Sequence, residues 1–220
     1  MNKILVTGHK GMLGSSLMKE LENKKKEKVF FERGYTDLSN QKETSLAFGF
    51  NKNINSIIHC AAKVGGVMAN MNDNNGFFRD NVSINQNVLQ SAFDIDVKNL
   101  VSILSTCIFP NNDVTYPLTA DQLDNGAPHS SNTGYPYAKR LLYFQTKMYR
   151  EFTGNNWISV VPTNLYGLND NYHLENSHLI PALIRKAYEA SLSGGEFHVW
   201  GSGNPLRQFM FADDLSKVIL

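Results

Sequence analysis

The chain has 220 residues, 42% of them hydrophobic, with 21 basic against 20 acidic side chains and a formal net charge of +1. That length suits one large α/β domain, or one with a small appendage, and the apolar share allows a sizeable core. The charge balance gives no footprint for nucleic acid or an anionic membrane, and two cysteines, Cys60 and Cys107, offer neither a disulfide framework nor a zinc spacing, so no metal is expected.

Strand and helix patterns alternate along the chain. Ile4-Leu-Val-Thr7 reads as a buried strand of the parallel type, reached with no signal-peptide pattern before it. A glycine loop, Thr7-Gly-His-Lys-Gly-Met-Leu-Gly14, follows. Met12 to about Glu22 reads as a helix, with Leu13, Leu17 and Leu21 at fourfold spacing. The Lys24-Lys25-Lys26 run is a solvated turn before a second short strand, Val29-Phe-Phe31. Lys42 to Phe50 is a weak helix, and Ser56-Ile-Ile-His-Cys60 a third strand. Phe77 to about Ala92 is a long helix with a stripe of Val82, Val88, Leu89 and Phe93. Leu100-Val-Ser-Ile-Leu104 is a fourth strand, Tyr135 to about Phe152 a second long helix, and Trp157-Ile-Ser-Val-Val161 a fifth strand. No apolar run reaches membrane-spanning length, and a cytoplasmic location is the expectation.

Five strands separated by helical segments imply an α/β fold, a doubly wound parallel sheet of the Rossmann kind. Two longer connections, residues 106–134 and 164–177, leave from the carboxyl ends of strands, where ligands of such sheets lie, so they should line the site. Residues 1–163 are expected to form the dinucleotide-binding domain. Residues 164–220 are expected to form a small substrate-binding lobe, with a segment near 205–220 returning to the first domain. Phe209 to Leu220 reads as a loop and a helix start capped at Asp213 or Asp214. The chain stops about two turns into that helix, from which a missing C-terminal portion of the lobe is expected.

Gly8, Gly11 and Gly14 follow a strand and open a helix. In that context they permit a tight turn, a close approach of backbone to a pyrophosphate, and close helix–strand packing, with the helix N-terminus facing the phosphates. The spacing is Gly-x-x-Gly-x-x-Gly, so the strand before it and the helix after it carry much of the inference. At the end of the second strand Glu32 favours a free ribose and Arg33 a 2′-phosphate; Lys10 adds a second cation, and the balance leans to NADP. Ala61-Ala-Lys-Val-Gly-Gly66 follows the third strand with small residues against which the cofactor's adenosine and ribose could lie.

Tyr135 and Lys139 form a Tyr-x-x-x-Lys pair on one helix face. The lysine's charge can lower the phenol's pKa and its ammonium can bond the nicotinamide ribose, while the phenol is a usable acid at neutral pH. Ser105, at the end of the fourth strand, can hold a substrate carbonyl oxygen beside it. Tyr137 is the competing phenol, and the four-residue spacing selects Tyr135. Cys60 reads as core, and His9, His59, His129, His173 and His198 have no evident partner.

These residues together resemble the extended short-chain dehydrogenase/reductase superfamily. Ser105-Thr-Cys-Ile-Phe-Pro110, Pro162-Thr-Asn-Leu-Tyr-Gly167, Asn176-Ser-His-Leu-Ile-Pro-Ala-Leu183 and Val199-Trp-Gly-Ser-Gly-Asn-Pro-Leu-Arg207 narrow the resemblance to the GDP-L-fucose synthase family. That resemblance implies NADPH-dependent epimerisation at C3 and C5 and reduction at C4 of GDP-4-keto-6-deoxy-D-mannose. It implies that Cys107 and His178 exchange the C3 and C5 protons, with Ser105 and Tyr135 holding the enolate oxygen. It further implies cofactor contacts from Gly8, His9, Lys10, Gly11, Met12, Leu13, Gly14, Arg33, Asp37, Leu38, Ala61, Ala62, Lys63, Leu104, Lys139, Pro162, Asn164, Leu165 and His178. Substrate contacts are implied for Asn164, Lys186, Trp200 and Arg207, and the assembly implied is a homodimer joined through the two long helices. A 4-epimerase or 4,6-dehydratase of the same superfamily, or a non-catalytic dinucleotide-binding protein, stays open as an alternative.

Overall fold

The computed structural model describes residues 3–31, 36–51, 53–174, 177–199 and 201–220. A five-stranded, all-parallel sheet has the order β2-β1-β3-β4-β5, built from β1 (Lys3–Thr7), β2 (Lys28–Val29), β3 (Ile54–His59), β4 (Asn99–Ile103) and β5 (Asn156–Val160). The helices are α1 (Met12–Asn23), α2 (Gln41–Gly49), α3 (Val67–Asn72), α4 (Asn74–Asp94), α5 (Gly134–Thr153), α6 (Leu179–Ser193) and α7 (Ala212–Ile219). A second, two-stranded parallel sheet pairs β6 (Asn164–Tyr166) with β7 (Phe209–Phe211).

Successive side chains of a strand point to opposite faces, so apolar neighbours feed two cores. Leu5, Ile57, Leu100 and Trp157 face one side, where Phe48 of α2, Val88, Leu89 and Ala92 of α4, and Leu142 of α5 cover them. Val6, Ile58 and Ile103 face the other, against Leu13, Leu17 and Leu21 of α1 and Leu215 of α7. Helices on both faces of a parallel sheet make the fold doubly wound, as the alternating pattern requires. All five expected strands of the large sheet are present, although the second covers only Lys28–Val29.

Three local expectations differ. Residues 164–177, read as a connection, open with β6, which pairs with β7 across more than 40 residues of chain; a three-residue strand carries too little periodicity to be seen. The first long helix starts at Asn74, because the Asp73 side chain accepts from Gly76 N–H and caps it, and a short helix, α3, precedes it. The last helix is not capped by Asp213 or Asp214. Its N-cap is Phe211, and both acids lie in its first turn, where they complement the helix dipole.

Asp213 is also tied to α1. Its carboxylate accepts from Ser16 Oγ (2.6 Å) and meets Lys19 Nζ (3.2 Å), while Ser216 Oγ donates to Ser16 Oγ (2.9 Å). The segment after β7 thus docks on the helix that follows the glycine loop. Among the described residues no helix is long and apolar enough to cross a membrane. Leu215, 3% exposed in this seam, should cost about 2–5 kcal/mol of unfolding free energy when replaced by alanine. Urea denaturation measures this, and a loss under about 0.5 kcal/mol, the scale of surface substitutions, would show that α7 is not part of the core.

Candidate active site

The sheet order reverses between β1 and β3: the chain leaves β1 for β2 on one side and returns to β3 on the other. The crevice beyond the carboxyl ends at such a point is where open α/β sheets bind ligands. Here the glycine loop after β1 meets the segment after β3. Gly8 has φ +70°, a left-handed conformation, and a Cβ on it would lie 2.8 Å from Ala61 N. A Cβ on Gly14 would lie 2.1 Å from Gly8 O, so the first turn of α1 sits directly on the loop. Gly11 is the N-cap of α1 and makes no side-chain cap, and the first turn holds no acid. The first-turn N–H groups, which a helix leaves without intrahelical partners, and the positive dipole end suit a phosphate, so these residues fit a dinucleotide.

Lys139 is the centre of the arrangement. It is 2% exposed, and its ammonium donates to the carbonyl of Ile103, the last residue of β4, at 2.8 Å. The same nitrogen lies 5.8 Å from the centroid of the Tyr135 ring. Helix α5 starts where it does because Pro136 falls among the first four positions, whose N–H groups have no intrahelical partner. Gly134 N–H is satisfied from outside by Asn74 Oδ1 (2.5 Å). Burial lowers the Lys139 pKa to about 8, the opposing electrostatic influence of Cys60 and Cys107 being smaller. Desolvation keeps the Tyr135 phenol protonated well above the usual tyrosine range, with Cys107 adding to the shift.

Ser105 lies two residues beyond β4 in extended conformation and caps a single 3-10 turn, Thr106–Ile108, its Oγ accepting from Cys107 N–H at 3.4 Å. Arg140 Nε donates to the carbonyl of Ile108, which fastens that turn to α5. Cys107 is half-buried, and desolvation raises its thiol pKa, offset in part by Ser105 and the Lys139 charge. The electrostatic couplings of Cys107 to Tyr135 and Lys139 draw all three into one site.

The other expected site residues divide. Leu13 is buried beside Leu17, Leu104 lies in the core with its N–H on Val160 O (2.9 Å), Pro162 is buried and Leu165 packs on the second core. Met12 opens α1, and His9 stacks on Phe30 with ring centroids 4.6 Å apart. Lys10 is exposed, and Ala62 is half-buried after β3. Lys63, expected at the cofactor, instead extends its ammonium to Asp73 (2.8 Å) and Asp80 (2.9 Å). Its backbone is held by Asn81, which accepts from Lys63 N and donates to Lys63 O. Asp37 accepts from Ser39 N and Oγ, and Leu38 packs on the core while its carbonyl accepts from Asn87, so both have structural work already. Asn164 is exposed, with N and Nδ2 both donating to Gln208 O. His178 is exposed and its carbonyl, not its ring, begins α6. Lys186 lies on α6, and Arg207 is exposed before β7. Glu32, Arg33, Asn176 and Trp200 lie outside the described residues. Among the described residues no group of three or more His, Cys, Asp or Glu could hold a metal.

Two residues near the site escaped the sequence reading. Cys60 is more than core: it lies close enough to Lys139 to couple to it, and burial pushes its thiol up to about 12. His59 has partners on both ring nitrogens, Thr7 and Asn85. A polar residue ending an apolar strand was the only available signal.

Two outcomes follow. Gly14→Ala should abolish dinucleotide binding, read by fluorescence titration, because its Cβ collides with backbone; unchanged affinity would place the dinucleotide elsewhere. Lys139→Met should raise stability at pH 7 by about 2 kcal/mol, the cost of a charge whose pKa is lowered from 10.5 to about 8, less one hydrogen bond. The sign follows from linkage: the unfolded chain binds the proton more tightly between about pH 8 and 10.5, so the charge burdens the fold below pH 8 and ceases to as pH rises. The variant's advantage should therefore close over that window in urea unfolding. Comparison with the parent is needed because Cys60, raised to about 12, loses stability over an overlapping range.

Comparison with known proteins agrees with this geometry. The model of the NAD dependent epimerase/dehydratase family matches residues 4–220. GDP-L-fucose synthase of Dictyostelium discoideum is 42% identical over 217 residues, covering 97% of this chain and 67% of the relative. The Escherichia coli K12 enzyme of the same name is 34% identical over 216 residues, covering 97% of this chain and 67% of the relative. A GDP-L-fucose synthetase from Naegleria fowleri, crystallised with NADP, superposes with a TM-score of 0.89 at 37% identity over 99% of this chain and 71% of its own. In sequence and in fold, the chain belongs to the NAD dependent epimerase/dehydratase family, in the group of the GDP-L-fucose synthases.

Proposed function

We propose that the chain carries the NADPH-dependent conversion of GDP-4-keto-6-deoxy-D-mannose to GDP-L-fucose: epimerisation at C3 and C5, then reduction of the 4-keto group. The observation that carries this reading is the buried Lys139 ammonium beside Tyr135 and Cys107, at the crevice of a glycine loop. The names of relatives spanning nearly the whole chain supply the product, GDP-L-fucose. Gly8, Gly11, Gly14, Ala61 and Lys139 would hold the cofactor, and NADPH when bound supplies the hydride.

The chain's own residues do the proton work. A 4-keto group acidifies the protons on C3 and C5 because the enolate places its charge on oxygen. Ser105 Oγ and the Tyr135 phenol are donors for that oxygen. Tyr135, held protonated, is then the acid for the C4 alkoxide, and Lys139 supplies the positive field that favours phenolate after the proton leaves. Cys107 rests as a thiol, a group that returns a proton once an exposed base such as His178 has taken one. Asn164, Lys186, Trp200 and Arg207 would receive the nucleotide-sugar, with arginine's fork suited to a diphosphate. We assign these contacts to residues 164–220 as a substrate lobe on the dinucleotide-binding residues 1–163, and the location to the cytoplasm. Phe78 on α4 and Leu141, Met148 and Phe152 on α5 expose 41%, 38%, 54% and 79% of their surface, which supports a homodimer packed through these helices.

NADPH oxidation with GDP-4-keto-6-deoxy-D-mannose, with the sugar product identified, is the direct check. Cys107→Ser should cut epimerisation, followed as solvent deuterium entering C3 and C5, about 100-fold or more, while reduction of an already epimerised ketone persists. Equal loss of both steps would remove Cys107 from the proton exchange. Net turnover without NADPH consumption would point instead to a 4-epimerase or dehydratase.

A further inference from the structure

One buried hydrogen-bond chain lies behind the site and has no direct part in the chemistry above. Thr7 ends β1, His59 ends β3, Asn85 lies in α4 and Ala138 in α5. The four are 2%, 0%, 1% and 0% exposed. Ala61 N–H donates to Thr7 Oγ1 (3.2 Å), and Thr7 Oγ1 lies 2.8 Å from His59 Nδ1. His59 Nε2 lies 3.1 Å from Asn85 Oδ1, and Asn85 Nδ2 donates to the carbonyl of Ala138 (3.3 Å).

The two ends fix the direction of every bond between them. A backbone carbonyl only accepts, so Asn85 turns its amide N–H to Ala138 and its oxygen to His59. That oxygen accepts, so Nε2 of His59 carries the hydrogen. Nδ1 is then an acceptor, and the Thr7 hydroxyl donates to it while accepting from Ala61 N–H, which only donates. A ring protonated at both nitrogens would leave the Thr7 hydrogen without this acceptor, and burial beside the Lys139 charge lowers the ring's pKa to about 3.

We propose that His59 is a positioning residue, whose one-way chain from Ala61 to Ala138 holds the helix turn bearing Tyr135 and Lys139 at a set distance from the dinucleotide cradle. Thr7 precedes Gly8, Ala61 is the residue against which Gly8 packs, and Ala138 precedes Lys139. Apolar contacts between α4, α5 and the sheet are non-directional and tolerate sliding along a helix axis. Hydrogen bonds do not, since they weaken steeply with angle. A displacement of about 1 Å between reacting groups can cost about 100-fold in rate. The catalytic consequence rests on the reductase reading; the geometric one does not.

The first test is 15N NMR of His59 in the intact chain. An Nε2–H tautomer that stays neutral down to pH 5 is expected, and an Nδ1–H tautomer or a cationic ring at pH 5 overturns the proposal. The second uses Thr7→Val, Asn85→Leu and the pair together, all near-isosteric. With 13C-labelled lysine and no substrate, Asn85→Leu should move the Lys139 pKa from about 8 upward by about one unit, as the loosened turn admits water. Among the described residues the groups facing that ammonium are Tyr135, Cys60, Cys107 and His59, and none is altered in this variant. In NADPH oxidation each single variant should lower kcat about tenfold with KM for NADPH within about twofold. The double variant should be no worse than about twice the poorer single, because either break releases the ring. His59→Gln, which can place a donor where Nε2 stands, should keep kcat within about threefold, whereas His59→Leu should not. Effects that multiply, an unmoved Lys139, or a Gln variant no better than Leu would each overturn the proposal. If the parent chain oxidises no NADPH with this sugar, the functional reading fails, while the tautomer and the Lys139 shift still decide the chain.

Discussion

Burying the Lys139 ammonium between helix α5 and the carboxyl end of β4 is the constraint around which this molecule is arranged. Lys139 is removed from water, which costs several kcal/mol for an ion of that size unless its surroundings answer. The answer is partial: one carbonyl at the end of β4, a phenol face and two thiols. Among the described residues, no carboxylate belongs to the groups that shift its pKa. A carboxylate there would neutralise the field that the reacting oxygen needs. The lysine is left strained toward deprotonation, and that strain is useful, because it makes the charge available to whatever anion forms beside Tyr135.

The same low-dielectric setting sorts the neighbouring titratable groups. Tyr135, Cys60 and Cys107 are pushed to their protonated, neutral forms, and His59 to its deprotonated, neutral form. The Lys139 ammonium therefore rests among neutral groups, with the Arg140 guanidinium also acting on Cys107. Proton donors of this kind at neutral pH are what stabilisation of an enolate and protonation of an alkoxide require.

The glycine-loop helix and the segments after β5 are tied together by direct contacts. Helix α1 presents its N-terminus at the glycine loop, and its middle carries Ser16 and Lys19, which hold Asp213 of α7. β7, just before α7, pairs with β6, which follows the buried Pro162. Asn169 Nδ2 reaches Ser15 Oγ at 3.1 Å, a further tie between the residues after β6 and α1. The residues after β6 and helix α7 are thus registered on the helix that follows the glycine loop.

Much of this was readable from the chain. The glycine loop, the fourfold leucines of α1 and the four-residue step from Tyr135 to Lys139 are local patterns, and local geometry follows from them directly. The parallel strands were visible as apolar runs because both their faces are buried. What could not be read is non-local. The pairing of β6 with β7, the partners of His59 and the diversion of Lys63 to Asp73 and Asp80 join segments that periodicity does not connect. Ser16 finds Asp213 across 197 positions and His59 finds Asn85 across 26. The sequence by itself determined the order along the chain of the five strands of the large sheet, the dinucleotide loop and the spacing of the Tyr–Lys pair, since these depend on apolar runs, turn sterics and helix period. Only the tertiary structure decided which groups are charged and which way the buried hydrogen bonds run, because desolvation and donor–acceptor pairing exist only once distant segments have packed together.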